Sequence, residues 1–206
     1  AAIHGGRTND SRIYADGINM GWAGSNGGGG NMPQVAAAQE VVMTISGGLA
    51  EAETSGLVFN AVPREGSNAF TGQFNFSGSN DTLQGSNYTQ ALQSAGLRAP
   101  FELINVYDVS GMYGGRIVRD KLWFYGVYRQ VGGERTVPGM FQNKNAGNPN
   151  SWTVDFDRSK QAFNNSLERQ GTIRLTWQAT PRNKFNFHWS EQYNDANYGP
   201  GGGAGV

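Results

Sequence analysis

The sequence predicts an all-β protein in the main, and three observations carry that expectation. Charged residues make up 16% of the 206 residues, against the roughly 25% of an average soluble domain, while aromatics reach 12%. From about residue 70 onward apolar and polar residues alternate with period 2, the signature of strands with two unlike faces. Glycine, at 31 residues, punctuates these runs as turns and loops do.

The alternation predicts five strands. Phe70, Gly72, Phe74 and Phe76 alternate with Thr71, Gln73, Asn75 and Ser77, placing a strand near 69–78. Tyr107, Val109, Gly111, Tyr113, Gly115 and Ile117 form the apolar set of a second, near 105–118. The third, near 122–131, opens with an apolar-aromatic run from Leu122 to Tyr128 that has no clear polar face. The fourth, near 170–179, sets Ile173, Leu175, Trp177 and Ala179 against Thr172, Arg174, Thr176 and Gln178. The fifth, near 185–194, sets Phe185, Phe187 and Trp189 against Asn186, His188 and Ser190.

Short and long connections alternate between these strands. Val118-Arg119-Asp120-Lys121 and Thr180-Pro181-Arg182-Asn183-Lys184 are tight, whereas about 78–105 and 132–170 are long and polar. Transmembrane β-barrels have this habit, with short periplasmic turns and longer extracellular loops. A soluble sandwich with unequal loops has it too. The alternation likewise fits an apolar face turned to a core or to lipid. Tyr107, Trp123, Tyr128, Trp177 and Trp189 suit interfacial girdles and soluble cores alike.

Composition excludes several classes. Sixteen basic residues balance sixteen acidic ones, so no electrostatic footprint for nucleic acid exists. Cysteine is absent, and with it any disulfide framework or thiolate site. No apolar run reaches the ~20 residues of a membrane-spanning helix, which leaves barrel strands of ~9–11 residues open. No catalytic, cofactor or metal constellation emerges, and the expectation is a protein that is not an enzyme. The two histidines, His4 and His188, lie in different segments. Asp155 and Asp157 flank Phe156 in the manner of a solvated loop rather than a Ca²⁺ site. Gly27–Gly30 lacks the Gly-Lys-Ser/Thr of a phosphate loop. Both ends read as cuts: Ala1-Ala2-Ile3-His4 opens without an initiator Met, and Gly199–Val206 has loop composition.

Gly5-Gly6-Arg7-Thr8-Asn9, Asp16-Gly17-Ile18-Asn19, Glu40-Val41-Val42 and the run Gly56 to Asn68 follow one another in the first seventy residues, and in this order they resemble the end of the plug domain of TonB-dependent outer-membrane receptors. Gly5-Gly6-Arg7-Thr8-Asn9 precedes Ile13-Tyr14-Ala15-Asp16-Gly17-Ile18-Asn19, similar to the family's strand ending in Asp-Gly-Val/Ile-Asn. A Gly-rich loop from Ser25 to Asn31, a helix-like stretch Gln34 to Gln39, and Glu40-Val41-Val42 follow, the last resembling a Glu-Val-x-Val strand. Gly56-Leu57-Val58-Phe59-Asn60-Ala61-Val62-Pro63-Arg64-Glu65-Gly66-Ser67-Asn68 is similar to the plug's closing strand and exit, and Phe70-Thr71-Gly72 to the opening of the first barrel strand. Arg119-Asp120-Lys121-Leu122-Trp123-Phe124 looks like the first periplasmic turn of the Oar-like branch, which carries a carboxypeptidase-regulatory-like domain ahead of the plug. Two departures stand out. Ala52-Glu53 replaces the usual Tyr-Gly, and Pro63-Arg64-Glu65 replaces the usual Thr-Lys.

The resemblance implies the C-terminal part of a plug over 1–68 and the start of a transmembrane β-barrel over 69–206, in a class that closes with 22 strands. It implies a bacterial outer-membrane location and energy-coupled transport of a large solute. The implied partners are a TonB-type inner-membrane coupler, outer-membrane lipid and the remaining barrel strands. The substrate-facing regions would be the plug loop 22–32 and the loops 79–104 and 132–169. Their candidate residues are Arg7, Arg12, Trp22, Asn26, Asn31, Tyr88, Phe141 and Trp152. Asp16 reads as a strand terminator at a turn, and Leu175 and Trp177 would face hydrocarbon while Arg174 and Thr176 face the lumen. The competing reading is a structural or adhesive β-protein, a subunit of an extracellular or fibrous assembly whose open strand edges pair with other chains.

Overall fold

The computed structural model describes residues 11–21, 33–45, 56–96, 100 and 102–198. The chain is mainly β, in two sheets. A small mixed sheet comprises β1 (Arg12–Ala15), β2 (Ile18–Asn19), β3 (Ala38–Thr44) and β4 (Val58–Pro63) in the order β2-β1-β4-β3. A five-stranded sheet comprises β5 (Thr71–Asn80), β6 (Leu103–Val118), β7 (Leu122–Asn143), β8 (Phe156–Thr180) and β9 (Asn183–Tyr198), in sequence order. Between β5 and β6 runs a short helix, α1 (Gln90–Ser94), begun by Thr89, whose hydroxyl accepts from the Leu92 amide.

In the small sheet β1 pairs with β4 in parallel, Arg12 opposite Val58 and Ala15 opposite Ala61. β3 returns antiparallel to β4. The β1–β2 link is the two-residue turn Asp16-Gly17, with φ of 53° and 79°. Positive φ at both central residues is the geometry whose twist matches a hairpin, and Asp-Gly supplies it cheaply. The stretch expected to be helix-like over Gln34–Gln39 is a single turn, Val35–Ala37, and β3 already begins at Ala38. Pairing with β4 overrides the weak local preference there: Arg64 donates its amide to Ala37 O and its Nε to Ala38 O.

The large sheet is a meander of hairpins. Side chains pair across it in descending register: Tyr107 with Gln130, Asn105 with Glu134, Thr176 with Asn186 and Thr172 with Ser190. The tight links at Arg119–Lys121 and Pro181–Arg182 fall where the sequence placed them. The long link does not. Most of 132–169, expected to be loop, is strand: β7 continues to Asn143 and β8 starts at Phe156, leaving 144–155 as the connection. Charges at Glu134, Arg135, Arg158, Lys160, Glu168 and Arg169 erase the two-faced pattern that marks a half-buried strand. Pairing with the neighbouring strand keeps the backbone extended nonetheless.

The chain divides into two compact units: 1–74, 111–128 and 170–192, and 75–110, 129–169 and 193–206. In the first unit the large sheet's two faces differ. One face carries Phe70, Phe74, Tyr113, Ile117, Tyr128, Ile173, Trp177, Phe185, Phe187 and Trp189, all exposed. The other packs on the small sheet. Ala37 meets Tyr125 and Val127, with Ala36 and Met112 against them. This explains the missing polar face of Leu122–Tyr128: Phe124 lies with Tyr113 on the exposed face, while Tyr125 and Val127 are buried under the small sheet.

Glycines let aromatic rings lie flat across neighbouring strands of this unit. A Cβ on Gly72 would stand 2.8 Å from the Tyr113 ring, one on Gly115 would run into Phe70, and one on Gly114 into Tyr125. Phe70 and Tyr113 stack at 6.0 Å between centroids. Such cross-strand pairs fix register.

Candidate functional site

The first unit's candidate site is the polar seam where small sheet meets large. At its centre is Arg174, projected by β8 from the face opposite Leu175 and only 4% exposed. Its Nη1 donates to Asp16 Oδ2 and its Nη2 to Glu65 Oε1, both at 3.1 Å. Lys184, at the start of β9, donates its Nζ to the other Glu65 oxygen at 2.5 Å. Two cations and two carboxylates thus close a neutral cluster. A guanidinium buried this deeply persists only when paired, because leaving it alone in a low-dielectric setting costs several kcal/mol.

Local sequence dictates each position. Asp16 stands in the β1–β2 turn, its amide donating to Ala61 O at 2.9 Å, while Gly17 donates to Asn60 Oδ1 at 3.3 Å. The turn therefore aims the carboxylate outward from the small sheet. Glu65 lies just past β4, after Arg64. The sequence reading of Asp16 as a strand terminator holds for its backbone; its side chain has the further role of pairing Arg174.

A second anchor sits three residues on. Asn68 donates its Nδ2 to Asp120 Oδ1 at 2.6 Å, and its Oδ1 accepts from the Asp120 amide at 3.1 Å and from Trp123 Nε1 at 2.9 Å. Its carbonyl accepts from Arg116 Nη1 at 3.0 Å. Asp120, at φ 57°, belongs to the β6–β7 turn. Just before Asn68, a Cβ on Gly66 would collide with the backbone of Phe124. The exit from the small sheet is thereby staked to the first hairpin of the large one.

Next to the ionic cluster lies a cavity of about 20 Å³ lined by Gln34, Ala37, Thr172, His188 and Ser190 among others. Gln34 is 6% exposed, and neither its Oε1 nor its Nε2 has a protein partner; His188 Nδ1 is likewise unpartnered. The space suits one water, and its lining has the polar atoms such a water requires. His188 thus belongs to the polar face the alternation assigned to it, lining this cavity.

The substrate-facing residues expected from sequence are placed as follows. Arg7, Trp22, Asn26 and Asn31 lie outside the described residues. Arg12 is half-buried on β1 and donates to the Ser11 carbonyl at 3.4 Å. Tyr88 precedes α1 and Phe141 lies near the end of β7, both half-buried in the second unit. Trp152, in the 144–155 connection, is 96% exposed. That connection is built from asparagines: Asn143 Oδ1 accepts from the Asn145 and Asp155 amides at 3.0 Å, and Asn145 Nδ2 donates to Thr153 O at 2.8 Å. Asp155 pairs with Lys144 and Asp157 with Ser159, so the two aspartates do not converge. No group of three His, Asp or Glu side chains suited to a metal gathers among the described residues.

Sequence reasoning missed Glu65, Asn68, Arg174 and Lys184 as a set. Arg174 offered a signal, as the lone charge on an otherwise uncharged strand stretch from Gly171 to Thr180. Its partners are 109 and 158 residues away, and no spacing rule reaches that far.

The fold and the seam define a mainly β protein whose large sheet, in the first unit, is covered on its polar face and bare on its apolar one. No family model matches the chain, and neither a curated protein nor a solved structure matches it.

Proposed function

We propose that this chain is part of an outer-membrane transporter of the TonB-dependent kind. Residues 1–68 would belong to its plug and 69–206 to its barrel, and the transporter would take up a large solute with energy supplied by an inner-membrane coupler. The single observation that carries the reading is the orientation of the large sheet in the first unit. A water-soluble sheet buries its apolar face and solvates its polar one. Here the apolar face is exposed, and the polar face holds another sheet through ion pairs and hydrogen bonds. A barrel in lipid has that inversion, with the plug inside.

Along β8 the stretch 171–179 puts only Gly171, Ile173, Leu175, Trp177 and Ala179 on the apolar face. Nine residues are about the length a tilted strand needs to cross the hydrocarbon. The loops of the second unit, with Tyr88 and Trp152, and the end of β7 at Phe141 are the substrate-facing candidates in this reading. A polar, ionic seam also suits a plug that must detach, since water can replace its partners.

The test is uptake by the complete protein in outer membranes. The protein should resist extraction without detergent and migrate faster on electrophoresis before heating than after. Solute uptake should stop when the inner-membrane coupler is deleted. A protein recovered in the aqueous fraction, unchanged by heating, would remove the reading in favour of a structural or adhesive β-assembly.

A further inference from the structure

The exposed face of the first unit is not uniformly filled. Two of its glycines, Gly72 and Gly115, lie beneath aromatic rings, and three do not. A Cβ on Gly111 would meet only Phe74 at 3.8 Å, one on Gly126 only backbone carbonyls at 3.9 Å, and one on Gly171 nothing within 4 Å. These glycines sit on the neighbouring strands β6, β7 and β8 and line one depression with Phe74 on β5 and Glu191 on β9. They form the floor of an open groove of about 650 Å³ running across the strands, walled by Tyr113, Phe124, Tyr128, Ile173 and Trp189. At a strand spacing of ~4.8 Å, the span from the strand of Phe74 to that of Glu191 is roughly 19 Å.

Glu191 gives the groove a direction. It is the one charged side chain on this face of the first unit's described strands, and no cation lies within ion-pair distance of it among the described residues. An uncompensated carboxylate at the end of an apolar trough is complementary to an amphiphile with a cationic head and a hydrocarbon tail.

We infer that this groove is a lipid-binding site that holds one acyl chain on the Gly111–Gly126–Gly171 floor, with a primary ammonium headgroup at Glu191. The inference rests on the membrane reading above and names a ligand that reading does not. Apolar burial along the floor supplies the attraction. The carboxylate selects among headgroups, because an exposed ion pair discriminates by a small factor rather than by orders of magnitude.

The test uses the complete protein in detergent, given phosphatidylethanolamine or phosphatidylglycerol of matched chains, with retained lipid counted by native mass spectrometry. The heat-dependent gel shift is recorded for every sample, so loss of the barrel is distinguished from loss of the lipid. One phosphatidylethanolamine should be retained, severalfold over phosphatidylglycerol. Gly171→Leu should cut retention about tenfold, the burial of roughly two methylenes, and Gly126→Leu provides a second filled groove should the first misfold. Glu191→Gln should keep the lipid and lose the preference. Equal retention of both lipids by the unaltered protein would overturn the proposal. So would retention that survives a folded, filled-groove variant, or a dimer that covers the groove with a second copy.

Discussion

Two portions of the same strands differ more than any two strands do. In the first unit, residues 122–128 of β7 carry no charge, and residues 170–180 of β8 carry one, Arg174 on the covered face. In the second unit, residues 129–143 of β7 bring Arg129, Glu134 and Arg135, and residues 156–169 of β8 bring Asp157, Arg158, Lys160, Glu168 and Arg169. The first stretch reserves one face for aromatics and glycine; the second puts polar groups on both. One strand is thus built for two surroundings. The boundary falls near Tyr128 and Gln170.

The sharpest way to break this contrast is to strand the buried guanidinium of the first unit. The double variant Asp16→Asn/Glu65→Gln leaves Arg174 without a countercharge and should cost about 3–5 kcal/mol in denaturant unfolding. A loss under ~1 kcal/mol would mean that water already reaches Arg174.

A charge on the bare face comes next. On the proposed transporter reading, Leu175→Arg should cost about 2–4 kcal/mol, whereas Lys160→Leu in the second unit should stay within ~0.5 kcal/mol. Similar costs for the two would erase the distinction between the portions. Thr176→Arg, mild if the polar face were an open lumen, is expected to be severe, because Thr176 is 1% exposed beside Asn186.

Smaller still is the glycine–aromatic fit. Gly72→Ala pushes its methyl toward the Tyr113 ring and should cost about 1–3 kcal/mol as an overpacked contact. Gly171→Ala, above which nothing stands within 4 Å, should be near neutral. Thermal unfolding of the two variants side by side checks this.

The smallest effect belongs to the second unit's Asp108–Arg129 pair, bonded at 2.6 Å between Oδ2 and Nη2 but partly exposed. The hydrogen bond from Arg129 holds the Asp108 carboxyl below its ordinary value, against desolvation, with the Arg129 charge adding to it. A depressed carboxylate stabilises the fold above the unfolded pKa of ~3.9 and loses that contribution as pH falls through its lower folded value. Asp108→Asn should therefore cost about 0.2–1 kcal/mol at neutral pH, and nothing in strong acid. Unfolding measured at both pH values decides it.

Much of this was legible in the residues. Period-2 alternation located four strands of the large sheet, and an apolar-aromatic run the start of β7, because one face in the first unit is consistently apolar. Arg119-Asp120-Lys121 and Pro181-Arg182 announced the tight turns, and Asp16-Gly17 a hairpin, since few residue types tolerate positive φ. Where a strand is polar on both faces, as in 132–143 and 156–169, the sequence reads as loop. Its extended backbone is held by pairing with a neighbour that the local sequence does not reveal.

By itself, then, the sequence determined which residues share a face and where the chain turns, because both follow from contacts within a few residues. Only the tertiary structure decided which face is covered. Alternation is the same whether the apolar side meets a core or is bare, and it took the small sheet lying on Tyr125, Val127 and Arg174 to separate the two. The Arg174 cluster and the Asn68 stake were decided there as well. Their members come together across 48 to 158 residues of chain, a distance that folding closes and that no local propensity encodes.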